Sequence, residues 1–323
     1  MPRNPVGDAF RRYAVYGLLV LVFGTMSVLA PRFLTLDNQS ALLKTASLHV
    51  LPAIGFTLVL ALGQLDLSFA TVMTLGGMLT IGLEPRHGWI GSIAAALACG
   101  LGIGAINGLL VTKAKVNSFI ATLGTLTIIQ GVVNIYCGGN TLNVDDYGVY
   151  QWLDQGGLIA PPVLIAFAAA ALFEVVLQRT RFGLNLQLTG GNPAAAWAAG
   201  IGTGAATVAA FALSGLLAAA GGALAAAKNI SATPKMGNES LMLVIAAVIV
   251  GGTSMKGGKG SIVGSVGAVL TLCAITNGLS LLGLGQETMS IVNGAVLAVL
   301  VLAEAIATNR RERMKGQRAE LLG

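Results

Sequence analysis

LVLALGQLDLSFATVMTLGGMLTIGL, residues 58–83, decides the fold class of this chain. It is apolar text on both sides of one short polar interruption, GQLD, residues 63–66. A helix crosses the hydrocarbon core of a bilayer with about 20 apolar residues. The stretch therefore reads as the end of one membrane span, a break, and the start of the next. Working outward, the same pattern recurs to both termini. Candidate spans lie near 13–30, 45–63, 67–83, 89–111, 118–137, 158–177, 202–228, 241–252, 260–282 and 287–307. The expected architecture is an all-α polytopic membrane protein of about ten transmembrane helices with broken or re-entrant elements. Eight full spans plus re-entrant pieces is the alternative count.

Composition agrees with that reading. Of 323 residues, 55% are hydrophobic and only 10% charged, against about 25% charged in an ordinary soluble domain. Mean hydropathy is +0.80. So few charges cannot cover a water-facing surface. The first apolar stretch has no small-residue cleavage site after it and reads as a retained helix. No water-soluble domain fits between the spans, so residues 1–323 form a single membrane domain.

A net charge of +6 would point to nucleic acid in a soluble protein. Here the basic residues lie between apolar stretches and at the ends, a pattern that sets topology instead. With the N-terminus inside, the inner segments hold Arg3, Arg11, Arg12, Lys113, Lys115, Arg179, Arg181, Lys256, Lys259, Arg310, Arg311, Arg313, Lys315 and Arg318. Only Arg32, Lys44, Arg86, Lys228 and Lys235 fall on the other side. Both termini are thus expected to be cytoplasmic and the span count even. The loop 138–157 holds Asp145, Asp146 and Asp154 and no cation, which suits an external location as a solvated loop or a docking surface.

Three polar breaks are candidate pathway elements, because polar groups in lipid are expensive unless they face protein or water. In the first, Gln64, Asp66 and Ser68 stand at a span junction, and Asp66 has no adjacent cation. Its carboxylate is expected to cap the following helix, to pair across the bundle, or to touch a substrate. The second, GGTSMKGGKGS at 251–261, places Thr253 and Ser254 beside two lysines. It fails as a nucleotide loop, since Gly258-Lys259 is followed by Gly260 instead of Ser or Thr. No ATP-hydrolysing machinery or other catalytic residue is expected in this chain. The third break lies within about 178–201, where Asn192-Pro193 is a strong helix start. A short helix over 193–199 should lie on the inner face, as an interfacial element or as a handle for another subunit.

Asn107, Thr122, Thr125, Gln130, Asn134, Asn277 and Asn293 are polar residues inside spans that could line a hydrophilic path or serve as interhelical glue. His49 and His87 are isolated, and Cys99, Cys137 and Cys273 have no C-x-x-C spacing. Neither group is expected to bind metal. A faint echo links 59–76 with 248–266, each an apolar run, a Gly-containing turn and a Gly-rich helix. Such repeats occur in many transporters.

Taken in order, five stretches resemble the membrane permeases of ABC importers for ribose, xylose, galactose and related small sugars, including autoinducer-2. FLTLDNQSALLKTAS resembles that family's opening after the first span, and LVLALGQLDLS its GGIDLS signature. VNSFIATLGTLTIIQGVVNIYCGG follows its V-P-x-F-I-x-T-L-G run, with Asn117 where Pro is usual. RTRFGLNLQLTGGNPAAAWAAGI resembles its cytoplasmic loop, with Pro193-Ala194 in place of an acidic pair, and VIVGGTSMKGGKGS its G-G-T-S-x-x-G-G-x-G-S stretch. The resemblance implies a multi-pass protein of the bacterial inner membrane and a translocation path for a sugar. It also implies four kinds of partner: a second permease subunit, a cytoplasmic ATPase that binds the ATP, a periplasmic sugar-binding protein, and membrane lipid. Gly190, Gly191, Asn192, Pro193, Trp197 and Gly200 would then form the coupling element that the ATPase grips. A branched-chain amino-acid permease and an ion-coupled secondary carrier are the rival readings.

Overall fold

The computed structural model describes residues 5–144, 146, 148–285, 288–289, 291, 294–295 and 298, with side chains from residue 15 onward. Most of the candidate span 287–307, Asn293 as a path residue and the basic C-terminal tail fall outside the described residues. The elements are α1 (Pro5–Leu29), α2 (Leu36–Ala61), α3 (Phe69–Thr112), α4 (Ser118–Cys137), β1 (Leu142–Asn143), α5 (Gly148–Asp154), α6 (Pro161–Arg179), α7 (Arg181–Gly191), α8 (Pro193–Ala198), α9 (Thr203–Asn229), β2 (Ser231–Ala232), α10 (Met236–Val250) and α11 (Ile262–Leu281). Six of these, α2, α3, α4, α6, α9 and α11, are long and apolar enough to cross a membrane, and α1 and α10 contain shorter apolar stretches. The protein is an all-α polytopic membrane protein.

Spans expected at 67–83 and 89–111 form one helical run, α3, broken only at Gly88, whose φ of 64° and ψ of 174° are not helical. Glycine alone takes that backbone without penalty. α2 starts at Leu36 instead of near residue 45, because LDNQSALLK continues the helix beyond its apolar part. The supposed loop 179–201 contains α7, an eleven-residue helix whose Thr180 hydroxyl accepts the Gly183 N–H at 3.3 Å.

Two ends of the bundle are distinct. At the basic end, Ala61 accepts the Gly258 N–H at 2.8 Å, and Gln178 Nε2 donates to the Gly260 carbonyl at 3.0 Å. Lys113, Lys115, Lys256 and Lys259 lie there. At the opposite end β1 pairs antiparallel with β2, Leu142 facing Ala232, and Lys44 Nζ donates to Asp154 Oδ1 at 2.6 Å. The loop 138–157 is therefore tied down, with a strand pair and an ion pair, and is not merely solvated.

The core is dominated by α2, α3, α9, α10 and α11. Where α3 meets α9, small residues let the backbones touch. A Cβ added at Gly76 would lie 2.7 Å from the Ala219 Cα, and one at Gly108 would lie 2.6 Å from the Val208 Cα. Gly104 lies against the Phe211 carbonyl, and Gly100 against Gly215. Close backbone approach through small residues is how membrane helices associate without a hydrophobic driving force between them.

The echo between 59–76 and 248–266 has a local cause. Gln64 N donates to the Val59 carbonyl and Gly63 N to Leu60, while Thr253 N donates to Val248 and Gly252 N to Ile249. Both are paired 6→1 and 5→2 helix stops with glycine at positive φ. The same stop closes α4 at Gly138 and α11 at Gly283. A recurrent way of ending helices accounts for the likeness without an internal repeat.

Candidate functional site

At the basic end, the 62–68 break is held by a buried polar chain that begins at Asp66, 1% exposed. Asp66 Oδ1 accepts the Ser68 N–H at 3.0 Å and the Ser68 hydroxyl at 2.6 Å. Oδ2 accepts the Ser214 hydroxyl of α9 at 2.8 Å. Ser68 Oγ in turn accepts Asn107 Nδ2 at 2.9 Å, and Asn107 Oδ1 accepts the Thr125 hydroxyl at 2.6 Å. One chain of bonds thus joins α9, the break, the second half of α3 and α4. The peptide groups of the break are met too, Leu65 N donating to Ser118 Oγ and Leu67 N to Thr122 Oγ1, each at 3.1 Å.

Asp66 is not itself the N-cap of α3. That position belongs to Ser68, whose side chain makes no cap bond. Asp66 closes a turn onto Ser68 N two residues ahead and bonds across the bundle to Ser214, so the pairing across the bundle is found and the helix cap is not. Gln64 sits half-buried at the same break.

The remaining path candidates do not join this cluster. Gln130 Nε2 donates to the Pro234 carbonyl at 3.0 Å and to Asn134 Oδ1 at 3.3 Å, linking α4 to the approach to α10 at the opposite end. Asn277 and Asn38 exchange amide bonds at 2.9 Å in both directions, tying α11 to α2. Thr253 Oγ1 accepts the Ser261 N–H at 3.2 Å, and Ser254 Oγ accepts Lys256 N at 3.3 Å, so both shape the 251–261 turn. Sequence reasoning missed Ser214, a lone hydroxyl in an alanine and leucine run. Glu174 Oε2 accepts the Ile262 and Val263 N–H groups at 3.1 and 3.4 Å, capping the start of α11 from α6.

The third break folds as its residues suggest. Asn192 Oδ1 accepts the Ala195 N–H at 3.0 Å, Pro193 opens α8, and Gly200 follows at φ 77°. Trp197 is 75% exposed. Gly190 is buried where α7 meets the break, its Cα facing the Ala61 carbonyl with Gly258 N beside it. Gly191 is more open. α7 is therefore seated directly on the polar break and on the 251–261 turn, and α8 follows from its end.

On the opposite face Asp146 accepts Gly148 N and Trp89 Nε1, each at 2.8 Å. These bonds favour the ionised form and hold its carboxyl below the usual 3.8. Since the folded value is depressed, the linkage is intact above the ordinary value and is lost only as pH falls through the lowered one. In a variant retaining only Trp89, indole emission should stay constant from neutral pH to about 4 and change below it. A change centred near pH 6 would contradict the assignment.

Helices that span, a break whose polar groups are satisfied inside protein, and a capped helix exposed at the basic end define a multi-pass membrane transport component. The family described as "Branched-chain amino acid transport system / permease component" matches residues 38–301, and the chain belongs to it. Its members are transport subunits and not enzymes. The chain is similar to the ribose import permease protein RbsC of Escherichia coli strain K12, 33% identical over 299 residues, which cover 90% of this chain and 92% of that one. RbsC of Bacillus subtilis strain 168 is 36% identical over 298 residues, 89% and 90% of the two chains. The L-arabinose transport system permease protein AraH of E. coli strain K12 is 33% identical over 295 residues, 89% of each. No solved structure matches. Among the described residues no three His, Cys, Asp or Glu side chains gather where a metal ion could be held.

Proposed function

We propose that this chain forms the translocation path for a small sugar as the permease subunit of an ABC importer. The observation that carries this reading is identity of 33–36% along about nine-tenths of proteins named for ribose and L-arabinose transport. The partners would be a second permease subunit, a cytoplasmic ATPase that binds the ATP, and a periplasmic sugar-binding protein. An ion-coupled carrier fits less well, because such carriers keep ionisable groups available as relays. Asp66 is instead occupied on both oxygens by N–H and hydroxyl donors. In proteoliposomes reconstituted with its ATPase and binding-protein partners, ATP should drive uptake of ribose or arabinose but not leucine. Leucine uptake would favour the amino-acid reading suggested by the family's description, and uptake driven by an ion gradient without ATP would defeat the importer reading.

Ten spans follow if α1 and α10 cross, α3 is counted as two at Gly88, and residues 287–307 cross as well. Both termini then lie inside with the basic end. Single cysteines at Asp146 and Ala194, in a background lacking the three native cysteines, should label oppositely with an impermeant reagent in intact cells. Labelling at Ala194 alone would reverse the orientation.

α8 is the proposed coupling helix, gripped by a groove in the ATPase. With Pro193-Ala194 at its start the contact rests on shape and apolar packing, and Trp197 is the large anchor, since aromatic side chains dominate many interfaces. Trp197→Ala should weaken ATPase co-purification about tenfold or more, a typical anchor loss, while membrane insertion is kept. High salt should matter little because few charges take part. Unchanged co-purification and transport would remove Trp197 from the interface.

A further inference from the structure

A second polar site lies at the end opposite the break, in a cavity of about 660 Å³ between the start of α2, the end of α5 and the last turn of α9. Lys44 is closed onto Asp154, its Nζ donating to Oδ1 at 2.6 Å and to the backbone carbonyl at 2.8 Å. Lys228 lines the same cavity and makes no hydrogen bond among the described residues. Two ammonium groups therefore share one carboxylate at the cavity's inner wall, which leaves an excess of positive charge there. The second carboxylate, Asp37, stands exposed on the rim, in the first turn of α2, and Ser40 contributes a hydroxyl between them.

The arrangement asks for a ligand with an anion facing inward and a cation facing outward. Its position selects the source. Leu36, 73% exposed, and Leu158, 39% exposed, border the same opening, and exposed leucines beside lysines at helix ends are what the apolar-to-polar boundary of a bilayer accommodates. Basic pockets between membrane helices hold lipid head groups by the same chemistry. We infer that this cavity binds the head group of a zwitterionic phospholipid, phosphatidylethanolamine. Its phosphate is held by Lys228 and the Ser40 hydroxyl, its ammonium by Asp37, and its glycerol and acyl chains lie on Leu36 and Leu158. Phosphatidylcholine has no N–H to give Asp37, and phosphatidylglycerol has no cation. The inference does not depend on which solute the protein carries.

The test is lipid retention by the full-length purified protein, measured by native mass spectrometry after equilibration in mixed micelles of the three lipids. Phosphatidylethanolamine should be retained about fivefold over each of the others, the scale of one charged contact near a membrane surface. Lys228→Met should lower retention of all three lipids, whose phosphates are alike, and Lys228→Arg should keep it. Asp37→Asn, a change at an exposed site that leaves folding intact, should remove the preference over phosphatidylglycerol. Equal retention of all three lipids by the unmodified protein would overturn the assignment. So would a preference over phosphatidylglycerol that survives Asp37→Asn, or retention of the three lipids unchanged by Lys228→Met. Displacement by inorganic phosphate as effective as by phosphoethanolamine would assign the site to a free anion and overturn the lipid. Sugar uptake plays no part in this readout, so its outcome leaves the transport reading to its own test.

Discussion

Asp66→Leu should abolish transport and sharply lower the amount of folded protein in the membrane. The substitution leaves the Ser68 N–H, the Ser68 hydroxyl and the Ser214 hydroxyl without their acceptor. Each buried donor so orphaned costs about 1–3 kcal/mol, and a folded domain is stable by only about 5–15 kcal/mol in all. Asn107 then loses the orientation that Ser68 gives it, so the damage reaches α4 through Thr125. Asp66→Asn is the informative companion. Its amide oxygen can still accept from Ser68, and its NH₂ can donate to a Ser214 hydroxyl that has turned to accept. Partial transport with near-normal expression is expected. Full activity in Asp66→Leu would show that the chain of bonds is dispensable.

The second large effect is expected at Gly190. A Cβ there would fall on the Ala61 carbonyl and within 2.8 Å of Gly258 N, both backbone atoms that cannot move aside by changing rotamer. Gly190→Val should lift α7 off the break, carrying α8 with it. We expect transport to be lost and ATPase co-purification to fall by more than about tenfold, as for a lost interface anchor. Gly191→Ala is the control, since its Cβ would meet only the Gly258 Cα at 3.6 Å, an ordinary contact. Near wild-type transport by Gly190→Val would mean that α7 and the break are not mechanically joined.

Much of this was legible in the sequence for specific reasons. Spans announce themselves by length and hydropathy, the 63–66 interruption by a carboxylate between apolar runs, and α8 by Asn192-Pro193, whose capping chemistry is local. What could not be read concerns encounters between distant residues. Ser214 lies 148 positions from Asp66, and nothing about a hydroxyl among alanines tells which neighbour it faces. Gln130 and Asn277 look alike as polar residues within spans, yet one meets the approach to α10 and the other meets α2. Periodicity tells which face a residue occupies without telling what lies opposite. α7 escaped because RFGLNLQLTGG mixes glycine and polar residues as loops do, and its helix is fixed by packing onto Ala61 and Gly258.

The seam between α3 and α9 has a mechanical consequence. Side chains normally act as bearings between helices, taking up small displacements by hopping between rotamers. Here Gly76, Gly100, Gly104 and Gly108 bring main chain against main chain or against Cβ atoms, and such atoms have no alternative positions to hop to. A slide of a fraction of an ångström meets the steep repulsive wall of close-packed atoms. The two helices therefore form a stiff keel, and any cycle of opening and closing has to flex the flanks fastened to it.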